Sequence, residues 1–421
     1  MAQAGKAQRV VVTGIGLLTP LGLTRESSFE RLVRAESGIT PAPAEITRWL
    51  PQALVANVDA AYAQALDRNE QGLDRATQFA VLASREALAD AQAGGWDLER
   101  DRIGVFAGIG LGGATTGEAL YGRLHENLQA GRNPTVVHPL TVPRLMPNAA
   151  TAAISMAQQF RGPTHTYSVA CSSSAMAVGE ACRTIRHGYA DAIVVVGAEA
   201  MNVPGVFTAW NALRVMARPD PANPAASCRP FDRARSGFVL AEGAAALVLE
   251  TPESAARRGV PVYGEICGYG SSSDAQHLTL PSSEGQYRAI RMALEESGIA
   301  PGGIHYLNAH GTATDAGDVV ESETIRQAFG DHTDRLPVSS TKSLHGHLIG
   351  AAGATEFAIS LLAMARGVIP PTAWLEQPDP RCRLDHVARE ARHGQRLDAV
   401  MSNSFAFGGS NVSLIARRYQ G

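Results

Sequence analysis

One cysteine, Cys171, lies where a run of mostly apolar residues meets three serines and a string of small residues, Tyr167-Ser-Val-Ala-Cys-Ser-Ser-Ser-Ala-Met-Ala-Val-Gly. The pattern predicts a short strand, a sharp junction and a helix whose N-terminus faces the thiol. Unpaired backbone N–H groups and the helix dipole favour a thiolate there. The same N–H groups could hold an oxyanion on a thioester bonded to that sulfur. A buried structural cysteine fits the pattern too, since free cysteines are among the most buried residues. Three polar clusters further along each close an apolar run. Tyr306-Leu-Asn-Ala-His-Gly-Thr-Ala-Thr carries His310, and Thr341-Lys-Ser-Leu-His-Gly-His-Leu-Ile-Gly-Ala-Ala-Gly carries Lys342, His345 and His347. Ser402-Asn-Ser-Phe-Ala-Phe-Gly-Gly-Ser-Asn reads as a glycine-rich turn between strands. Each histidine taken alone is more often a satisfied core or surface residue. His345-x-His347 with His310 would also supply a three-histidine zinc site, although no carboxylate partner accompanies them.

These residues need a frame. A β-branched run over 9–16 predicts a buried strand ending in Gly14-x-Gly16. That pair lacks the third glycine and acidic partner of a dinucleotide fingerprint, so it reads as a tight strand-to-loop turn. A helix follows over 76–93, then a strand over 102–108 that enters the glycine-rich stretch 108–113 without a Walker lysine. Residues 150–160 read as helix, and Gly162-Pro163 breaks the chain before the cysteine segment. The apolar run 192–197 reads as a central parallel strand. Strand, helix, strand make a βαβ unit with Cys171 at the carboxyl end of its first strand, where open α/β sheets place ligands. Residues 214–232 read as a loop, 244–250 as a strand and 254–259 as a helix. A new series begins near Val260, with strands at 262–268, 304–309, near Val338 and at 399–402, and helices at 286–297, 318–329 and 351–365. The reading is therefore two similar α/β halves, 1–260 and 261–421, suggesting a duplication.

The chain has 421 residues, 45% hydrophobic and 18% charged, with a formal charge of −3. That length exceeds what one core usually serves. The charge balance gives no footprint for nucleic acid. Five scattered cysteines, an odd number without C-x-x-C spacing, point to a reducing compartment and away from a disulfide scaffold. The polar N-terminus shows no signal-peptide pattern and no stretch reads as a membrane span, so a cytoplasmic protein is expected.

Taken together, Ala170-Cys-Ser-Ser-Ser, Asn308-Ala-His-Gly-Thr-Ala-Thr, Lys342-Ser-Leu-His-Gly-His and Asn403-Ser-Phe-Ala-Phe-Gly-Gly-Ser-Asn resemble the β-ketoacyl-acyl-carrier-protein synthases, the elongating condensing enzymes of the thiolase superfamily. Val11-Val-Thr-Gly-Ile-Gly, Arg161-Gly-Pro and Ser236-Gly-Phe-Val extend the resemblance almost end to end. It implies a five-layered αβαβα sandwich of two similar halves. It implies decarboxylative Claisen condensation of an acyl group on Cys171 with malonyl-acyl-carrier protein, in fatty acid or type II polyketide or polyene synthesis. By resemblance, His310 and His347 donate hydrogen bonds to the enolate, Lys342 tunes the second histidine, and Glu356 shares its buried network. The N–H groups of Cys171 and Phe407 would hold the tetrahedral oxyanion, and Thr312 and Thr314 the pantetheine amides. Leu111 matches a position at the floor of the acyl pocket, and residues 142–148 match a segment that crosses a dimer interface. Arg214 and Arg218 are candidates for docking an acidic acyl carrier protein. The resemblance implies no metal and no resident cofactor, the phosphopantetheine arriving on the carrier. It implies a homodimer or a heterodimer with a chain-length factor. A coenzyme A thiolase would need a second catalytic cysteine in a C-terminal glycine-rich motif, and no cysteine follows Cys382. Two departures stand out. His345 takes a place usually held by a smaller side chain, where it would add a titrating group or face solvent. Ala406 replaces a glycine of the gating turn, where its Cβ would restrict the backbone.

Overall fold

The computed structural model describes residues 8–134 and 137–421, and every residue of its first strand, β1 (Val11–Leu18), is buried. The first half of the chain adds β2 (Ile103–Gly108), β3 (Thr164–Tyr167), β4 (Ala192–Glu199) and β5 (Gly243–Glu250). They lie in the order β1-β5-β4-β2-β3. Pairing is antiparallel for β1–β5 and β5–β4, then parallel for β4–β2 and β2–β3. The second half supplies β6 (Gly264–Ser273), β7 (Tyr306–Asn308), β8 (Pro337–Ser339), β9 (Ala399–Phe405) and β10 (Ser410–Arg417). Their order, β6-β10-β9-β7-β8, repeats the same succession of two antiparallel and two parallel pairings. The duplication suggested by the sequence is thus visible as a repeated topology. β1 and β6 join the half-sheets through the pairs Val11↔Glu265 and Val12↔Gly264, and Asp385–His386 extends the far edge.

Helices cover both faces, which explains why β1, β4 and β5 are continuous apolar runs. They are α1 (Arg75–Asp90), α2 (Ser173–Arg186), α3 (Ser283–Ser297), α4 (Asp315–Phe329) and α5 (Ala352–Arg366). α1 packs on β1, β5 and β4, and α3 packs on β6, β10 and α4. α2 and α5 touch each other and strands of both half-sheets. The layers therefore run helix, sheet, helices, sheet, helices, the expected five. The stretch Ile349–Arg366 is long and apolar enough to cross a membrane, yet 89% of it is buried inside the protein as this central helix.

Small residues let the two central helices start back to back. A Cβ on Gly353 would lie 2.6 Å from Ala175 Cβ, and one on Gly197 would lie 2.6 Å from Ser174 Cβ. Gly14 and Gly16 have another role than the one read from sequence. They lie inside β1 rather than in a turn after it, because α1 presses its backbone onto the strand. A Cβ on Gly16 would come within 2.0 Å of Ala83 O, and one on Gly14 within 2.1 Å of Ala87 O. Gly16→Ala should therefore lower the thermal unfolding midpoint, with overpacking costing about 1–3 kcal/mol. Gly302→Ala, where an added Cβ meets nothing within 4 Å, should leave it unchanged in the same calorimetric comparison.

Candidate active site

β3 ends at Tyr167, three residues earlier than the apolar pattern suggests. The chain then bends through Ala170, held left-handed at φ 49°, into one turn of 3-10 helix, Ala170–Ser172, and on into α2. Cys171 stands on this elbow. Each serine of the motif fastens it. Ser172 Oγ lies 2.8 Å from both Ser404 O and Ser410 O, on either side of the turn 406–409. Ser173 Oγ donates to Ala170 O and receives Val169 N–H, and Ser174 Oγ receives the N–H of Ala354 in α5.

The second half brings three side chains to the thiol. His347 sits on a segment pinned to the first half, its N–H donating to Val239 O at 2.8 Å and its carbonyl accepting from Ala241 N–H at 3.0 Å. Its Nε2 is 3.0 Å from Cys171 Sγ. Its Nδ1 receives the N–H of Ile349 at 3.3 Å, so the neutral ring carries its proton on Nε2, toward the sulfur. Ile349 holds φ 46°, a costly conformation for a β-branched residue. His310 follows β7, with its own N–H and that of Gly311 bound to the two oxygens of Glu321. Ring nitrogens of His310 and His347 and the Cys171 sulfur all lie within 4.8 Å of one another. Behind them the fully buried Lys342 ammonium pairs with Glu356 of α5.

Burial and then the Lys342 charge hold both imidazoles well below the ordinary histidine pKa, so both rings are neutral. Burial also pushes the Cys171 thiol up to about 12, against the opposing pull of Lys342 and of the N–H groups of Phe407 and Cys171. Cys171 therefore rests as a thiol, where the helix-terminus argument led to a thiolate. The N–H groups of Phe407 and Cys171 reach the sulfur, which sets two donors beside the place a carbonyl oxygen bonded to that sulfur would take.

The β-ketoacyl synthase N-terminal domain model matches residues 7–255 and the C-terminal domain model matches residues 263–376. The chain belongs to the β-ketoacyl synthase family. It is 39% identical over 98% of its length to a 3-oxoacyl-[acyl-carrier-protein] synthase 2 of Synechocystis, covering 99% of that protein. It is 38% identical to the protein of that name from Coxiella burnetii, with the same coverage. Among solved structures it resembles a β-ketoacyl synthase from Burkholderia phymatum, with TM-score 0.87, 34% identity and 98% and 100% of the two chains covered. It also resembles the ishigamide ketosynthase/chain length factor, with TM-score 0.87, 32% identity and the same coverage.

Within this β-ketoacyl synthase, Thr312 and Thr314 line a cavity of about 420 Å³ that reaches Cys171, with their hydroxyls 3.0 Å apart. Arg214 and Arg218 are exposed and line the same cavity. Leu111 does not line it. Buried Glu199 binds the N–H groups of Gly110 at 2.8 Å and Leu111 at 3.4 Å, and the Leu111 side chain is 47% exposed at the surface. His345 is buried rather than facing solvent, with Nδ1 2.7 Å from Gly346 O and Nε2 2.9 Å from Thr341 Oγ1. Both its ring nitrogens are engaged, which removes it from a zinc site with His310 and His347. Burial then Lys342 lower its pKa to about 3, so it brings no titrating group to the site near neutrality. Ala406 is not among the residues of positive φ, so its Cβ is accommodated. Sequence reasoning missed Trp210 and Phe238, which line the cavity, and Glu199, whose one signal was an acid closing an apolar strand.

A neutral resting thiol makes a prediction. Iodoacetamide alkylation of Cys171, followed by intact mass, should accelerate roughly tenfold per pH unit from about pH 7 to pH 10. A plateau beginning near neutrality would show instead that the helix terminus overcomes burial.

Proposed function

We propose that this protein is the acyltransferase that condenses an acyl group with a malonyl group, both delivered on acyl carrier protein, to give a 3-oxoacyl-carrier protein. The observation that carries the reading is the convergence of Cys171 Sγ with two neutral imidazoles within 4.8 Å, against the buried Lys342–Glu356 pair. An acyl thioester enters along the cavity and its acyl carbon bonds to the Cys171 sulfur. The thiol proton leaves on the departing pantetheine thiol, which suits a nucleophile that is protonated at rest. Malonyl thioester then loses carbon dioxide, and its enolate oxygen is held by Nε2–H of His310 and His347. The enolate carbon attacks the Cys171 thioester. The N–H groups of Cys171 and Phe407 carry the tetrahedral oxyanion until the sulfur is expelled and takes up a proton. Lys342 supports the histidines through its charge, and Thr312 and Thr314 orient the pantetheine arm. Exposed Arg214 and Arg218 at the cavity suit an acidic carrier.

A partner subunit completes the picture. β3 is an edge strand with Thr164 and His165 exposed. Met156 is exposed in the helix Ala149–Gln158 that packs on this strand, and Val142 and Met146 are exposed in the stretch before that helix. Unpaired edges and apolar patches of this kind mark interfaces. The partner is a second copy or a chain-length factor, with this chain as the catalytic subunit because it keeps Cys171, His310 and His347.

Incubation with acyl carrier protein followed by intact mass should show an acyl adduct that Cys171→Ala abolishes; an adduct persisting on the variant rules out this nucleophile. Cys171→Gln should keep malonyl decarboxylation while losing condensation. His310→Ala and His347→Ala should each cut decarboxylation about a hundredfold or more, and wild-type rates in both would refute their role.

A further inference from the structure

Cys171 borders an apolar cluster that includes Met201, Phe207, Phe238 and Ile349. A row of rings leads to it from the turn 406–409. Phe407 stacks on Trp210, with centroids 6.2 Å apart and planes 26° from parallel. Trp210 meets Phe238 edge-on at 5.7 Å, and Phe238 meets the His347 ring edge-on at 5.1 Å. The row therefore ends at the imidazole that touches the sulfur. Trp210, Phe238 and Phe407 all line the cavity, and the Trp210–Phe407 stack spans two elements, the helix Pro204–Ala212 and the turn after β9. An acyl chain on Cys171 shares this space with the rings. Where it displaces Phe407, it takes over the indole face that Phe407 covered. An indole face gains more from a flat π system than from a saturated chain, since offset stacking adds to the burial of area.

We propose that Trp210 is a specificity-determining residue for the acyl group, favouring flat, conjugated chains over saturated chains of equal length. This rests on the acyl-enzyme reading of Cys171, and the test separates the two. Sorboyl- and hexanoyl-pantetheine, which have the same carbon count, are offered to the full-length protein and acylation of Cys171 is timed by intact mass. The wild type should prefer sorboyl by about fivefold. Trp210→Leu should bring the ratio to near one, and Trp210→Phe should retain most of it. In parallel, the emission difference between wild type and Trp210→Phe should fall on acylation by the sorboyl donor; this readout stands even if Trp210→Leu does not fold. Acylation without preference in the wild type, a preference kept in Trp210→Leu, or an unchanged emission difference overturns the role of Trp210 alone. No acylation by either donor overturns the acyl-enzyme reading itself.

Discussion

Charge is expensive where Cys171 sits, and the site is arranged around that constraint. Removing an ion from water costs several kcal/mol even after relaxation. The cluster meets this by keeping the thiol and both imidazoles neutral and by setting fully buried Lys342 against fully buried Glu356, whose carboxyl burial raises to about 7 while Lys342 pulls it down. The pairing leaves a positive field near the rings, which adds to burial in disfavouring imidazolium. In the reaction proposed above, neutral rings would donate to the developing enolate, and they stay neutral across the ordinary pH range. A buried ammonium without Glu356 would be an uncompensated ion, so the carboxylate on α5 is as much a part of the site as the residues that face the cavity.

The repeated topology explains how one site draws on both halves. α2 connects β3 to β4, and α5 connects β8 to β9, which are corresponding strands of the two half-sheets. The loop that enters α2 carries Cys171, and the longer loop that enters α5 carries Lys342 and His347. Because the two helices pack on each other between the half-sheets, their entry loops meet. The duplication thus yields an asymmetric set from equivalent places, a thiol on one side and imidazoles on the other. Gly353 against Ala175, and Ser174 bound to the Ala354 amide, set the closeness of that meeting.

Most of this frame was legible because helix and strand periods, glycine breaks and the order of elements are local signals. The convergence of Cys171, His310 and His347 was legible only because four motifs together resemble one family, since each cluster that closes an apolar run is weak evidence alone. What stayed hidden depends on distances between segments far apart in the chain. The tasks of Ser172 and Ser174 require knowing that β9, β10 and α5 lie beside the elbow. The place of Gly16 requires knowing that α1 lies on β1. Leu111 lies at the surface, its amide bound to Glu199, 88 residues away. The thiolate expected from the helix terminus gave way because that local argument leaves out desolvation, the largest influence on Cys171.

Strain shows how firmly the two entry loops are specified. Ala170 and Ile349, one in each, are left-handed non-glycine residues, a conformation that costs of order 1–3 kcal/mol and persists only where surroundings enforce it. At Ala170 the enforcement comes from Ser173, which binds both Val169 N and Ala170 O. At Ile349 it comes from either side. The Ile349 amide is directed onto His347 Nδ1, and the next amide, Gly350, is held at 3.0 Å by Glu199. The same carboxylate holds Gly110 at the end of β2. Burial raises Glu199 to about 7, opposed by the amides it accepts, so those hydrogen bonds favour the form that accepts them best. The strain at Ile349 therefore has a definite product. It puts a donor on one nitrogen of His347, which leaves the other nitrogen to carry the proton toward the sulfur.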